Sequence, residues 1–232
     1  MRVDCTPCPV ELGVANVQVA YIEKYDGLAR EQREYVFEES RLLISKSFGQ
    51  ETADTSFDED VMRFIRNGEM YVLRCGEALI GMKLVRMLSC CQRSVLYNAG
   101  TVIALEWQRR GVNTRLTRWI VQSRGAEIVA SRTQNPNIYR TLQLTCSRVW
   151  PQMHERTPEN IQQIALCVAQ KVNGTLETFD RQRLVDRGTY GDTLYDTIPF
   201  PENPSPVIRE LFSQYVDAKR GDSMLVIGEV SS

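Results

Sequence analysis

Gln108-Arg109-Arg110-Gly111-Val112-Asn113 lies between two stretches of different character. Ser94 to Glu106, just ahead of it, reads as a strand. Thr114 to Arg124, just after it, reads as a helix, because Val112, Leu116, Trp119 and Ile120 fall on one face at helical spacing. A strand, a glycine-bearing loop and a helix N-terminus together make an anion cradle. The first helical N–H groups have no intrahelical partner, and the helix dipole puts partial positive charge there. Gly111 has no Cβ, so a phosphate can approach the backbone closely. Arg109, Arg110, Arg115 and Arg118 add full charges around the same point.

The rest of the chain narrows what such a cradle can serve. Its 232 residues suit one large domain or two small ones. The net charge is −1, so no overall field draws in nucleic acid or an anionic membrane surface. No apolar run approaches the roughly 20 residues needed to cross a bilayer, and the start lacks a charged-then-apolar leader pattern. The expected location is the cytoplasm. Seven cysteines are scattered and odd in number, which fits free thiols in a reducing compartment. Cys5-x-x-Cys8 has no second pair at zinc spacing, and His154 is the only histidine, so no metal site is expected.

Taken in order, Val14 to Tyr21 reads as a strand and Ala29 to Phe48 as a helix ended by Gly49. Thr52 to Ser56 reads as a polar turn, and Phe57 to Ile65 as a short helix with Val61, Phe64 and Ile65 inward. Asp54, Asp58, Glu59 and Asp60 form an acidic cluster, either a solvated helix start or a rim attracting a cationic amine. Glu69 to Arg74 and Leu79 to Leu88 are strands joined through Gly76-Glu77, with the next turn at Gln92 and Arg93. Gly100, inside the following strand, marks a bulge or a close backbone approach. Glu127 to Ser131 reads as a buried strand. Asn135-Pro136-Asn137 opens a helix carrying Ile138, Leu142, Val149 and Trp150 up to Pro151. A helix from Thr157 to Asn173, a strand from Arg183 to Tyr190, a proline-rich loop, a helix from Pro206 to Tyr215 and a strand from Ser223 to Val230 complete the chain.

Gln108-x-x-Gly111-x-Asn113, after an apolar strand and leading into Leu116, resembles the pyrophosphate loop of the GNAT superfamily of acyl-CoA-dependent N-acyltransferases. That family's loop runs Gln/Arg-x-x-Gly-x-Gly/Ala, so Asn113 departs at the last position. Asparagine tolerates a left-handed backbone and can cap a helix, so the loop shape is expected to survive. The resemblance spans roughly 14–151 and is strongest over 79–151. It implies an α+β fold: a GNAT-like mixed, mostly antiparallel twisted sheet with helices on both faces and a central splayed strand pair. It makes 1–232 a single domain, with 152–232 completing the sheet.

The resemblance also implies a chemistry. Acetyl-CoA would be held through its pyrophosphate by Gln108, Arg109, Arg110, Gly111, Val112, Asn113 and Thr114. Ile103 and Leu105 would hold its pantetheine arm through strand-like backbone hydrogen bonds. Asn137 matches the family's asparagine on the next helix. Glu106 is the carboxylate nearest the reacting centre in sequence, either a base acting directly or through water, or a solvated strand end. The family's usual tyrosine acid is replaced by Thr145 when Val149-Trp150 is aligned with the family's helix ending. Tyr139 lies almost two turns early on the same helix and is one alternative acid, a neighbour such as Cys146 is another, and the use of no protein acid is the third.

These features imply transfer of acetyl from acetyl-CoA to a primary amine, on a small molecule or a peptide. An acyl-CoA-binding sensor or degenerate subunit with little catalysis is the alternative. A nucleic-acid-binding role for the arginine-rich helix conflicts with the near-neutral charge. No membrane partner is expected, and the oligomeric state stays open, a homodimer included.

Overall fold

A computed structural model of the chain describes residues 6–8, 10, 12–14, 16–48, 55–191, 193–195, 198–201 and 204–231. Among these the fold is mixed α+β, with six α-helices and mostly antiparallel strands. The chain divides into two compact units, Met1–Arg86 with Asn98–Trp119, and Met87–Tyr97 with Ile120–Ser232.

The first unit contains β1 (Thr6–Pro7), β2 (Val17–Ile22), α1 (Arg30–Phe48), α2 (Thr55–Ile65) and β3 (Glu69–Cys75). β4 (Ala78–Cys90), β5 (Arg93–Ile103) and α3 (Val112–Arg124) each contribute residues to both units. β1 pairs with β2, β2 with β3, and β3 with β4, all antiparallel. Phe57, Val61 and Ile65 recur every four residues on α2 and are buried against Val36, Leu43, Met70, Met82 and Leu84. Removing the Ile65 side chain from such a site costs about 2–5 kcal/mol. Gly100 is a close approach, as expected: a Cβ there would lie 2.1 Å from the Phe64 ring. The acidic cluster is partly neutralised, since Asp58 pairs with Arg41 at 2.6 Å and Asp60 with Arg63 at 2.8 Å. Cys5, Gly49, Asp54 and most of the expected turn at 52–56 lie outside the described residues, while Thr55 and Ser56 open α2.

The second unit contains β6 (Ile128–Thr133), α4 (Pro136–Thr145), β7 (Arg148–Trp150), α5 (Glu159–Asn173), β8 (Phe179–Asp180), β9 (Val185–Asp186), α6 (Pro206–Tyr215) and β10 (Ser223–Glu229). β10 is its hub and pairs antiparallel with β6, β7 and β9. Asn135 caps α4 by accepting from the Asn137 N–H at 2.9 Å, and Pro136 takes a first-turn position where its missing N–H does no harm.

Three expectations need correction here. Val149 and Trp150 are not helical: α4 stops at Thr145, and the Ser147 N–H donates to the Glu229 carbonyl at 2.8 Å, which starts β7 against β10. Both side chains are buried on that short strand. The turn after β4 is Cys91-Gln92, both with positive φ, as a tight hairpin demands, so Arg93 already belongs to β5. The strand expected over 183–190 shrinks to Val185–Asp186.

Candidate functional site

The loop at 104–111 is built by successive closures. The Ala104 N–H donates to the Ile80 carbonyl at 2.9 Å, and the Trp107 N–H donates to the Ala104 carbonyl at 2.8 Å. This ends β5 at Ile103 and winds Leu105–Trp107 into a 3-10 turn. Leu105 and Glu106 therefore do not continue the strand; both are exposed, Leu105 at 62%. Gln108 Nε2 donates back to the Ile103 carbonyl at 2.9 Å, and Ser47 Oγ meets the same carbonyl at 3.5 Å, so that carbonyl already has two donors.

Arg109 and Gly111 take left-handed backbones, with φ of 62° and 75°. Glycine adopts this without strain. Asn113 needs neither a left-handed backbone nor a cap, since it is already the second residue of α3. The first intrahelical bond is Arg115 N–H to Gly111 carbonyl at 3.0 Å. Among the described residues, the N–H groups of Gly111, Val112 and Thr114 have no acceptor. The guanidinium of Arg115 lies beside them, donating to the Arg110 carbonyl at 3.2 Å and the Leu12 carbonyl at 2.7 Å. Arg110 stacks over the Trp107 ring at 5.0 Å. Unsatisfied amides, a helix N-terminus and nearby guanidinium groups suit an anion of phosphate type.

Beneath this loop lies a polar cluster. Lys83 on β4 is 1% exposed. Its Nζ donates to Thr101 Oγ1 and to Asn113 Oδ1, both at 3.1 Å. Thr101 Oγ1 donates to Asn98 Oδ1 at 3.1 Å, and Thr117 Oγ1 donates to the Asn113 carbonyl at 2.7 Å. Burial lowers the Lys83 ammonium to about 7. Sequence analysis did not single out Lys83. Its one signal was a lysine between Met82 and Leu84 in an apolar strand.

The remaining candidates sit in the second unit. Tyr139 is buried, and its hydroxyl donates to the Pro151 carbonyl at 2.8 Å. Burial pushes that hydroxyl up to about 12. The Tyr139 proton is thus engaged by a backbone carbonyl. Thr145 Oγ1 donates to the Thr141 carbonyl at 2.8 Å. The Cys146 thiol is pushed up to about 12 by burial. The Asn137 side-chain amide donates to the Pro199 carbonyl.

No protein-family model matches the chain, and no curated protein does. Several solved structures are similar to part of it. One is a GCN5-related N-acetyltransferase from Kribbella flavida, at 19% identity and a TM-score of 0.37 over 55% of this chain and 33% of that one. The chain thus spans about a third of that protein's length. Another is an aminoglycoside acetyltransferase from an uncultured soil metagenomic sample, in complex with sisomicin, at 12% identity and 0.44 over 62% of this chain and 96% of that one. A third is AAC(6')-Iy in complex with the bisubstrate analog CoA-S-monomethyl-acetylneamine, at 16% identity and 0.41 over 62% and 99%.

Proposed function

We propose that the protein is an acyl-CoA-dependent N-acyltransferase that moves an acetyl group from acetyl-CoA to a primary amine by direct attack. The observation carrying this is the set of acceptor-free amides at Gly111, Val112 and Thr114, opened by a left-handed glycine and flanked by Arg109, Arg110 and Arg115. Those amides would take the diphosphate of coenzyme A. The amine nitrogen attacks the thioester carbonyl, the C–S bond breaks, and the thiolate leaves. Exposed Glu106 is the proposed acceptor of the amine proton, directly or through water. The thiolate needs no protein acid, since a thiol has a pKa near ~8.5 and leaves readily as its anion. The acceptor is a small-molecule or peptide amine, and the site is proposed to act in the cytoplasm.

A second reading has specific support. Tyr139, Thr145 and Cys146 are each committed or pushed up in pKa, which favours an acyl-CoA-binding protein with little catalysis. Incubation with acetyl-CoA and a panel of primary amines, followed by titration of released CoA thiol, separates the two. Amine-dependent thiol release, lowered about a hundredfold by Glu106→Gln, supports the enzyme. Binding of acetyl-CoA without release on any amine supports the second reading.

A further inference from the structure

The second unit carries an open cleft of about 510 Å³ that no residue of the 103–114 loop lines. It arises where the chain leaves α4 at Thr145, runs through β7 and folds back over 152–155 beside the helix it came from. Two bonds fix its walls: the Tyr139 hydroxyl donates to the Pro151 carbonyl at 2.8 Å, and Arg148 pairs with Glu155 at 2.7 Å. Val207, in the first turn of α6, adds an apolar wall. The volume falls in the range of small-ligand sites, roughly 300–1,000 Å³.

The lining has a cationic part and an apolar part. Glu155 is the one carboxylate among the lining residues, and Arg148 neutralises it. Arg140 is left without a counter-charge: its guanidinium meets only the amide oxygen of Gln143, at 3.4 Å. On the 152–155 segment, the Gln152 amide and the His154 ring have no hydrogen-bond partner among the described residues, and each has an N–H to offer. Val149, Met153 and Val207 supply the apolar part. A planar guanidinium takes a carboxylate through two parallel bonds, and a methionine adapts to varied apolar shapes. From this lining we infer that the cleft binds a small carboxylate with an apolar body, its carboxyl at Arg140 and its body against Val149, Met153 and Val207. The inference does not rest on the acyl-CoA reading and stands if that reading falls.

The probe is 2-naphthoate, and its control is 2-naphthylmethanol, which keeps the rings and lacks the charge. By calorimetry the full chain is expected to bind 2-naphthoate saturably, with the alcohol at least tenfold weaker. Arg140→Met keeps an apolar stem and removes the charge. Val207→Asp sets a carboxylate against the ligand's body, in a helical first turn that tolerates an acid. Both positions are exposed, so both variants should melt within a few degrees of wild type. Each should weaken 2-naphthoate at least tenfold, while saturating desulfo-CoA leaves its affinity within about twofold. If one variant fails to fold, the other carries the comparison. Absence of saturable binding up to about 5 mM, equal affinity for the alcohol, or wild-type affinity in either folded variant overturns the site. Competition by desulfo-CoA also overturns it, because the probe would then sit in the acyl-CoA cradle.

Discussion

Gln108 Nε2 donates to the Ile103 carbonyl at 2.9 Å, so the first side chain of the loop closes back on the last residue of β5. The bond fixes the angle at which the chain leaves the strand and enters the left-handed Arg109. Gln108→Ala is expected to lower stability by about 1 kcal/mol. It should also raise the acetyl-CoA KM several-fold while kcat holds, because it loosens the loop without touching reacting atoms. Steady-state kinetics at varied acetyl-CoA check this; an unchanged KM speaks against the loop's role.

Lys83 makes stability depend on pH in a distinctive window. Its folded value is near 7 against an ordinary 10.5, so the unfolded chain takes up the proton first as pH falls. The contribution of the neutral amine is complete above 10.5 and is lost progressively down to about 7, then stays level. Between pH 7 and pH 10 the wild type should gain roughly 3–5 kcal/mol relative to Lys83→Met. Urea unfolding of both proteins at the two pH values measures the difference. Parallel pH profiles would mean that Lys83 stays charged in the folded protein.

Tyr139→Phe tests whether the phenol takes part in proton transfer. The phenol is expected to contribute a buried hydrogen bond to the Pro151 carbonyl and nothing to proton transfer. Loss of about 1–2 kcal/mol of stability with an unchanged kcat and pH–rate profile is the expected result. A kcat reduced by two orders of magnitude would restore Tyr139 as the acid.

Asp222 should govern the acid stability of the second unit. Burial alone would raise its carboxyl, but Arg220 at 2.6 Å, Arg187 at 2.7 Å and the N–H groups of Gly188 and Asp217 hold it well below the usual range. A depressed carboxylate contributes stability above its unfolded value near ~3.9, lost as pH falls below it. Asp222→Asn leaves the partly exposed Arg187 and Arg220 without their counter-charge and should cost about 1.5–3 kcal/mol, the scale of a charge-assisted hydrogen bond. Thermal unfolding of the variant from pH 3 to 7 should show a shallower acid limb than wild type; equal limbs would shift the acid sensitivity to other carboxylates.

Much of the fold was legible because its signals are local. Phe57, Val61 and Ile65 declare a helix by spacing alone, Gly76-Glu77 a hairpin, and Asn135-Pro136 a helix start. Val149-Trp150 misled because a three-residue buried strand has too little length to show a period of two, and its partner, β10, lies some eighty residues on. The loop was legible from Gly111 and its arginines. The inward turn of Asn113 was not, since it depends on Lys83 thirty residues earlier and no local pattern marks the pair. Glu106 and Leu105 were assigned to a strand that Ala104 and Trp107 close off first.

The most direct test of the central claim is the thermal shift given by desulfo-CoA, which lacks the reactive thiol but keeps the diphosphate. At a hundredfold excess over its dissociation constant, a ligand that binds only the folded chain adds about 2.7 kcal/mol, or roughly 5–10 °C for a chain of this size. The account predicts that shift in the wild type and its disappearance in folded Gly111→Asp, where a carboxylate is placed among the amides. No shift in the wild type at millimolar desulfo-CoA, or an equal shift in Gly111→Asp, would contradict it.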